Sequence, residues 1–352
     1  MSNFFKNLVE AIKDEDTSLA SDGVGSAEFG GFIDTGSYIL NAVVSGSLYG
    51  GVPDNKVTAF AGESATGKTF FVLGVVRAFL DKNPTGGIVY YDTEAAVTKQ
   101  MMEERGIDTS RVIIAEPDTI QKFKTHALKM IDAYEKQPVD KRPPMMFVLD
   151  SLGLLSTSKE QEDSLEGKDT RDMTKSQVIK ATFRVLTLKL AKVKVPMLVT
   201  NHVYEVIGSY VPTKELGGGT GLKYAASTIA MLTKKREKDG DEIVGNIIKV
   251  KMYKSRLSKE HGQAEVLLTY AKGLDRYYGL IGLAEKHGIF KKVSTRYELP
   301  DGRKVFGKYI NENPQDVYTE EILAQLEVAA QKEYKYGMGY EVSVEEEVNE
   351  SE

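Results

Sequence analysis

Short apolar runs recur through the middle of the chain at 57–61 (Val-Thr-Ala-Phe-Ala), 87–91 (Gly-Ile-Val-Tyr-Tyr), 145–149 (Met-Met-Phe-Val-Leu) and 195–199 (Val-Pro-Met-Leu-Val). Between them lie longer stretches whose apolar positions have helical spacing. Runs this apolar, alternating with helices, predict a mostly parallel sheet covered on both faces. Two more strands are expected at 227–232 and 246–253, with the charged stretch 234–240 as the turn between them. In the second, Ile248, Val250 and Met252 alternate with Lys249, Lys251 and Tyr253, the signature of a half-buried strand. Residues 31–270 therefore read as one α/β core.

The two ends read differently. Residues 3–13 place Phe4, Phe5, Leu8, Val9 and Ile12 at helical spacing, and 14–31 is a linker rich in Ser, Asp and Gly. Residues 1–30 are thus a short amphipathic helix on a tether. So short a helix is marginal by itself, so it either folds back on its own core or docks on a neighbouring subunit. Residues 271–335 form a small C-terminal α/β unit. A helix begins at Leu280-Ile281-Gly282-Leu283-Ala284, a hairpin spans 297–305 around Asp301-Gly302, and a second helix spans 314–333. The tail, 336–352, is expected to be disordered.

Charge changes this picture once. The chain carries −5, but 341–352 holds six glutamates and no cation, so the rest of the chain stands at +1. A nearly neutral body is compatible with a local basic groove for nucleic acid and does not demand one. The absence of cysteine removes disulfides and thiolate metal sites and fits a reducing cytoplasm. No apolar run approaches the ~20 residues of a membrane span, and the N-terminus lacks the pattern of a secretory signal.

The strongest chemical signal is Gly62-Glu63-Ser64-Ala65-Thr66-Gly67-Lys68-Thr69, which follows one expected strand and precedes the helical run from Phe70. This is a P-loop in its required context. Gly62 and Gly67 let the backbone wrap phosphates with N–H groups turned inward, and a helix N-terminus adds its dipole. Lys68 places a charge among the outer phosphates, and the Thr69 hydroxyl ligates Mg²⁺. The nucleotide is therefore expected to be ATP.

Asp150 follows the run 145–149 and fits a second metal-binding acid; the alternative is an ordinary turn or N-cap aspartate. Glu94 follows the run 87–91, where a carboxylate could activate water. Asn201-His202 follows the run 195–199, where His202 is a phosphate sensor or a structural histidine. All four positions lie at carboxyl ends of strands, where open parallel sheets bind ligands. Two polar loops follow, 156–176 (with Lys159, Lys168, Arg171 and Lys175) and 203–221, which ends in Gly217-Gly218-Gly219-Thr220-Gly221. Such long loops are functional or disordered, and glycine N–H groups there could approach nucleic-acid phosphates. Lys254 and Arg256, two apart at a strand end, point the same way by period-two geometry. They are charge-stabilising fingers for a neighbouring subunit's site, or a solvated strand edge.

Taken in order, Ile33-Asp34-Thr35-Gly36-Ser37, Gly50-Gly51-Val52-Pro53, the P-loop, Tyr91-Asp92-Thr93-Glu94, Val148-Leu149-Asp150-Ser151-Leu152, Thr200-Asn201-His202, 217–224 and Tyr253-Lys254-Ser255-Arg256 resemble the RecA-type strand-exchange recombinases. The wording of Asp150-Ser151-Leu152-Gly153, Asp172-Met173-Thr174 and Gly-Gly-Gly-Thr-Gly is similar to the phage branch, the UvsX recombinases. The resemblance covers about residues 30–335. It implies a RecA-like ATPase core using ATP and Mg²⁺, with Glu94 as the catalytic carboxylate, Asp150 as Walker B and His202 coupling ATP to the second DNA loop. It implies DNA contacts from Lys175, Lys180 and Arg184 and from Gly217, Gly218, Gly219, Thr220 and Gly221. Lys254 and Arg256 would act across a subunit interface, near Lys223 and Tyr224, and the N-terminal helix would hook the adjacent subunit of a helical filament.

The implied activity is DNA-dependent ATP hydrolysis with homologous pairing and strand exchange on single- and double-stranded DNA. The implied setting is the cytoplasm of a phage host, with a single-strand-binding protein and a recombination mediator as partners and no membrane. Where relatives place a tyrosine beside adenine, seven residues after the catalytic carboxylate, this chain has Met101, whose sulfur can still pack on a base. Within the same fold the alternatives are a hexameric helicase motor or a non-catalytic recombination mediator.

Overall fold

The computed structural model describes residues 2–12, 17–22, 30–168, 172–205, 214–239, 242–269 and 273–337. Most of the expected linker, the centre of the second loop and the acidic tail lie outside these residues. In chain order the elements are α1 (Ser2–Ile12), β1 (Phe32–Ile33), α2 (Tyr38–Ser45), β2 (Val52–Pro53), β3 (Val57–Gly62), α3 (Lys68–Lys82), β4 (Gly87–Asp92), α4 (Lys99–Glu103), β5 (Val112–Ala115), α5 (Ile120–Glu135) and β6 (Met145–Asp150). Then come α6 (Ser158–Leu165), α7 (Lys175–Lys192), β7 (Met197–Glu205), β8 (Lys214–Leu216), α8 (Gly221–Ala225), β9 (Thr228–Asp239), β10 (Glu242–Ser255), β11 (Gln263–Thr269) and β12 (Gly273–Leu274). The last part holds α9 (Leu280–Lys286), β13 (Lys291–Val293), β14 (Arg296–Glu298), β15 (Lys304–Phe306), α10 (Gly307–Glu312), α11 (Pro314–Val317) and α12 (Glu320–Tyr334).

One large sheet has the order β12-β11-β10-β9-β3-β7-β6-β4-β5, with β8 added on β7. The strands from β9 to β5 pair in parallel, and β10, β11 and β12 extend the sheet antiparallel. Alternation decides which face each residue serves. Phe60, Ile88, Tyr90, Met146 and Val148 join α2, α3 and the C-terminal helices in one apolar cluster. Ala59, Val89, Tyr91, Phe147 and Leu149 join α5 and α7 in the other. This is the α/β core that the apolar runs imply.

Several elements differ from the reading of the sequence. The charged stretch 234–240 is not a turn, because β9 continues to Asp239 and pairs with β10 from Glu242. Charged residues sit in a strand without cost where its side chains are wet, and Lys234 and Lys235 are exposed. The first long loop contains α6, which starts at a complete capping box between Thr157 and Glu160. The second loop is partly strand, because β7 runs on to Glu205 and returns as β8. The edge strand β5 is an element that its four-residue run did not announce. The last helix is broken into α11 and α12, with the Thr319 side chain capping the second.

α1 is helical as expected, but it does not fold back. Phe4, Phe5, Leu8 and Ile12 are 64%, 58%, 45% and 59% exposed. The C-terminal elements share the first apolar cluster with α2 and β10, through Leu280, Leu326 and Ala330 among others. A polar clamp reinforces this junction. Arg276 donates to Asp34 Oδ1 at 2.7 Å, and its guanidinium lies 3.9 Å from the centre of the Tyr38 ring. Burial works against the Asp34 carboxylate, but hydrogen bonds from Asn41, Gly36 and Arg276 outweigh it and hold its pKa below the usual value. The buried Asn41 then links Asp34, Thr35 and the Leu48 carbonyl. No helix among the described residues is long and apolar enough to cross a membrane. Arg276→Ala should lower unfolding stability by about 1–3 kcal/mol, since a half-exposed pair and a ring contact are lost together. Urea denaturation checks this, and Arg276→Lys should recover only part of the loss.

Candidate functional site

The register of the parallel strands brings the carboxyl ends of β3, β4 and β6 level with His202 inside β7. Gly62 of β3 sits opposite His202 of β7, and Asp92 of β4 opposite Asp150 of β6. Beyond these ends lies a cleft of about 570 Å³, with Lys68, Thr69, Phe70, Glu94, His202 and Lys234 in its wall.

The loop from Gly62 to Gly67 forms one side. A Cβ on Gly62 would meet the Leu232 carbonyl oxygen and Thr66 Oγ1, both at 2.7 Å. Gly67 adopts φ +88°, and its Cβ would strike Leu268 at 2.8 Å. Only glycine fits either position, and the backbone is thereby free to line the cleft. Lys68, the first residue of α3, donates to the carbonyls of Gly62 (3.1 Å) and Glu63 (2.8 Å). Burial lowers its pKa, with the charges of Glu94 and Asp150 acting the other way. Lys234 reaches over from β9 to the Ala65 carbonyl at 2.9 Å.

Asp150 is 3% exposed and accepts from three hydroxyl donors. Thr69 Oγ1 and the Tyr90 hydroxyl each donate to Oδ2 at 2.8 Å, and Thr200 Oγ1 donates to Oδ1. Burial, then the adjacent carboxylate, push the Tyr90 pKa well above its usual value, so the phenol remains a donor. The neighbouring β4 turn is pinned by Asp92, whose carboxylate accepts from the backbone N–H groups of Glu94 (3.1 Å), Ala96 (3.4 Å) and Val97 (3.0 Å). Thr93 and Ser151 exchange hydrogen bonds between the two strand ends. Glu94 is thereby held in the cleft, with its Oε1 at 3.0 Å from His202 Nε2.

His202 continues into the glycine-rich turn through the backbone. The Gly217 N–H donates to the His202 carbonyl at 2.9 Å, and Asn201 Nδ2 donates to the Gly217 carbonyl at 2.8 Å. The turn lies tight on α7. Added Cβ atoms would meet Ile179 at Gly218 (2.7 Å), Ser176 at Gly219 (2.6 Å) and the Lys180 backbone at Gly221 (2.8 Å). Thr220 is exposed beside them. On α7, Lys180 and Arg184 are exposed one turn apart, and Lys180 lies 5.5 Å from the centre of the Tyr224 ring. Lys175 pairs with Glu160 of α6 at 3.2 Å.

The structure thus brings together Lys68, Thr69, Asp150, Glu94 and His202, with Gly217 one hydrogen bond away. Three expected site residues stand apart. Lys254 is turned onto the C-terminal end of α8, donating to the carbonyls of Lys223 (2.6 Å) and Ala226 (2.7 Å). Its pKa is lowered by burial and then by Arg256. Arg256 is exposed beyond the end of β10. A bulge between Met252 and Lys254 precedes both cations, and the buried Ser255 between them leaves Lys254 and Arg256 on the side away from the core. Met101 is half-buried on the core side of α4 and does not line the cleft. Tyr90, Thr200 and Lys234 were missed. The paired phenols Tyr90 and Tyr91 in an apolar run were the available sign for Tyr90, and nothing in the local pattern singled out the other two.

Residues 24–275 match the family model described as the RecA N-terminal domain. The chain is 30% identical over 254 residues to the recombination and repair protein of Enterobacteria phage T4; the alignment covers 72% of this chain but 63% of that protein, under two thirds of its length. It is 28% identical over 296 residues to protein RecA of Deinococcus radiodurans, covering 80% and 76% of the two chains. The matched segment carries the P-loop, Glu94, Asp150, His202, the glycine-rich turn and Lys254, and the chain belongs to the RecA family.

Proposed function

We propose that this chain is a recombinase that hydrolyses ATP in a DNA-dependent way, polymerises on single-stranded DNA and promotes pairing and strand exchange with a homologous duplex. The observation that carries this reading is His202. Its ring holds the Glu94 carboxylate, and its backbone holds the glycine-rich turn. A change at the phosphate end of the cleft therefore has one residue to cross before it reaches the surface turn.

In this reading the N–H groups of 63–69 and the Lys68 ammonium bind the phosphates. Thr69 and Asp150 are hard oxygen donors of the kind Mg²⁺ prefers, and among the described residues no cluster of three or more His, Asp or Glu forms a cage for it. A Mg²⁺ held by Thr69 and Asp150 would supply charge neutralisation to the transferred phosphoryl group. Tyr90 and Thr200 keep the Asp150 carboxylate in place when Thr69 turns away from it. Glu94 orients and deprotonates the attacking water. Lys175, Lys180, Arg184 and the turn 217–221 face DNA.

Lys254 and Arg256 serve the site of the next subunit, Lys254 leaving its carbonyls to do so. Residues 1–30 are the hook between subunits, 31–270 the ATPase and DNA core, 271–335 the small C-terminal unit and 336–352 an acidic tail. The exposed stripe of α1 needs an apolar receptor on the next copy, and Ile113 and Ile114, 51% and 45% exposed on the edge strand β5, are of the right kind. The names of the two relatives are in keeping with this role. A single-strand-binding protein and a mediator would be its partners in a host cytoplasm.

Three outcomes are expected. Single-stranded DNA should raise ATP hydrolysis by about 10-fold or more, and Glu94→Gln should lower the rate by about 100-fold or more while filaments still form on DNA; a rate indifferent to DNA would remove the recombinase reading. Tyr90→Phe should raise the Mg²⁺ concentration that half-saturates Mg²⁺-assisted ADP binding, on the order of 10-fold, with metal-free ADP binding unchanged. Replacing Phe4 and Phe5 by Asp should abolish filaments in electron micrographs and leave the thermal unfolding of the subunit unaltered. Closed rings instead of filaments from the unaltered protein would favour a helicase motor.

A further inference from the structure

The phosphate end of the cleft is fixed by Lys68, Thr69 and Glu94, so the base of a nucleotide must lie at the other end. Past Phe70 and Leu268 the cleft opens into a second cavity of about 520 Å³ that shares both residues with the first. Its wall includes Gly36, Leu274, Arg77 and Arg105. Resting on the nucleotide reading above, we propose that Arg105 is the platform on which the nucleobase stacks.

The Arg105 guanidinium lies over the Phe70 ring, 4.2 Å from its centre. Its Nη1 donates to the Met101 carbonyl at 2.7 Å, one helical turn back. Phe70 therefore backs one face of the cation, and the hydrogen bond fixes its position. A guanidinium is planar, weakly hydrated and stacks readily on aromatic rings. Arg105 lines the second cavity, so its guanidinium can offer a flat cationic surface at the right end of the cleft for a purine, with Leu268 and Leu274 as apolar walls. The acids nearby are engaged elsewhere. Asp34 pairs with Arg276, Asp81 with Arg77 at 3.5 Å, and Glu104 accepts from Gln100 at 2.8 Å. Met101 thus contributes its carbonyl, which holds Arg105, while its thioether packs toward the core. The stacking surface is moved one turn along the chain from the position where the sequence pattern looks for it.

Calorimetric binding of ADP and of ribose 5-diphosphate, which lacks the base, tests this on the full chain and on Arg105→Ala and Arg105→Lys. ADP affinity should fall about 10-fold in Arg105→Ala and by a similar factor in Arg105→Lys, whose ammonium offers no flat face. Ribose 5-diphosphate affinity should be the same in all three proteins, which also reports that each is folded. Unchanged ADP affinity in both variants, or an equal loss for both ligands, would overturn the proposal. So would an unaltered protein that binds the two ligands equally well. Failure of the unaltered protein to bind either ligand would instead remove the nucleotide reading on which it rests.

Discussion

Parallel pairing without slippage of β3, β7, β6 and β4 is the constraint on which the site depends. β3, β4 and β6 bring their chemistry where they stop, and β7 brings His202 to the same level, three residues before its own end. Because Gly62 lies opposite His202 and Asp92 opposite Asp150, the P-loop, the Asp150 carboxylate, the Glu94 turn and the histidine reach one cleft from four separate stretches of chain. A slip of one residue would turn each alternating strand to the wrong apolar cluster as well as displacing its polar end. The packing that stabilises the sheet therefore also sets the geometry of the site.

Within that frame the polar groups are positioned by others that do no chemistry. Asp92 takes three backbone N–H groups and so fixes Glu94, while Thr69, Tyr90 and Thr200 donate to Asp150. Buried carboxylates are costly unless satisfied in this way. The same groups that satisfy Asp150 hold its carboxylate beside Thr69 of the cleft wall.

Much of this was legible in the sequence, because the signals were local. Apolar runs of five announced the central strands, and the P-loop announced its own strand–loop–helix context. Glu94, Asp150 and His202 stood out because each lies within three residues after the end of such a run. What the sequence hid was set by pairing across the fold. The residues 234–239 are charged and look like a turn, but they are held as strand by partners in β10. The attachment of Lys254 to the carbonyls of Lys223 and Ala226 was hidden as well, because those acceptors lie about thirty positions earlier in the chain. The hydroxyls on Asp150 come from three different elements, and no spacing along the chain connects them. Arg105 escaped notice because its partner, Phe70, lies 35 positions earlier in the chain.

The glycine-rich turn has a consequence for how this protein can drift. Gly218, Gly219 and Gly221 press on α7 so closely that the first carbon of any side chain collides there, and two of the three also hold a left-handed backbone. No amino-acid replacement at these positions is silent in shape, so the space of tolerated variants is nearly closed there. A lineage exploring new DNA or partner preferences would have to do so through neighbouring segments of the loop, leaving this turn as its fixed point.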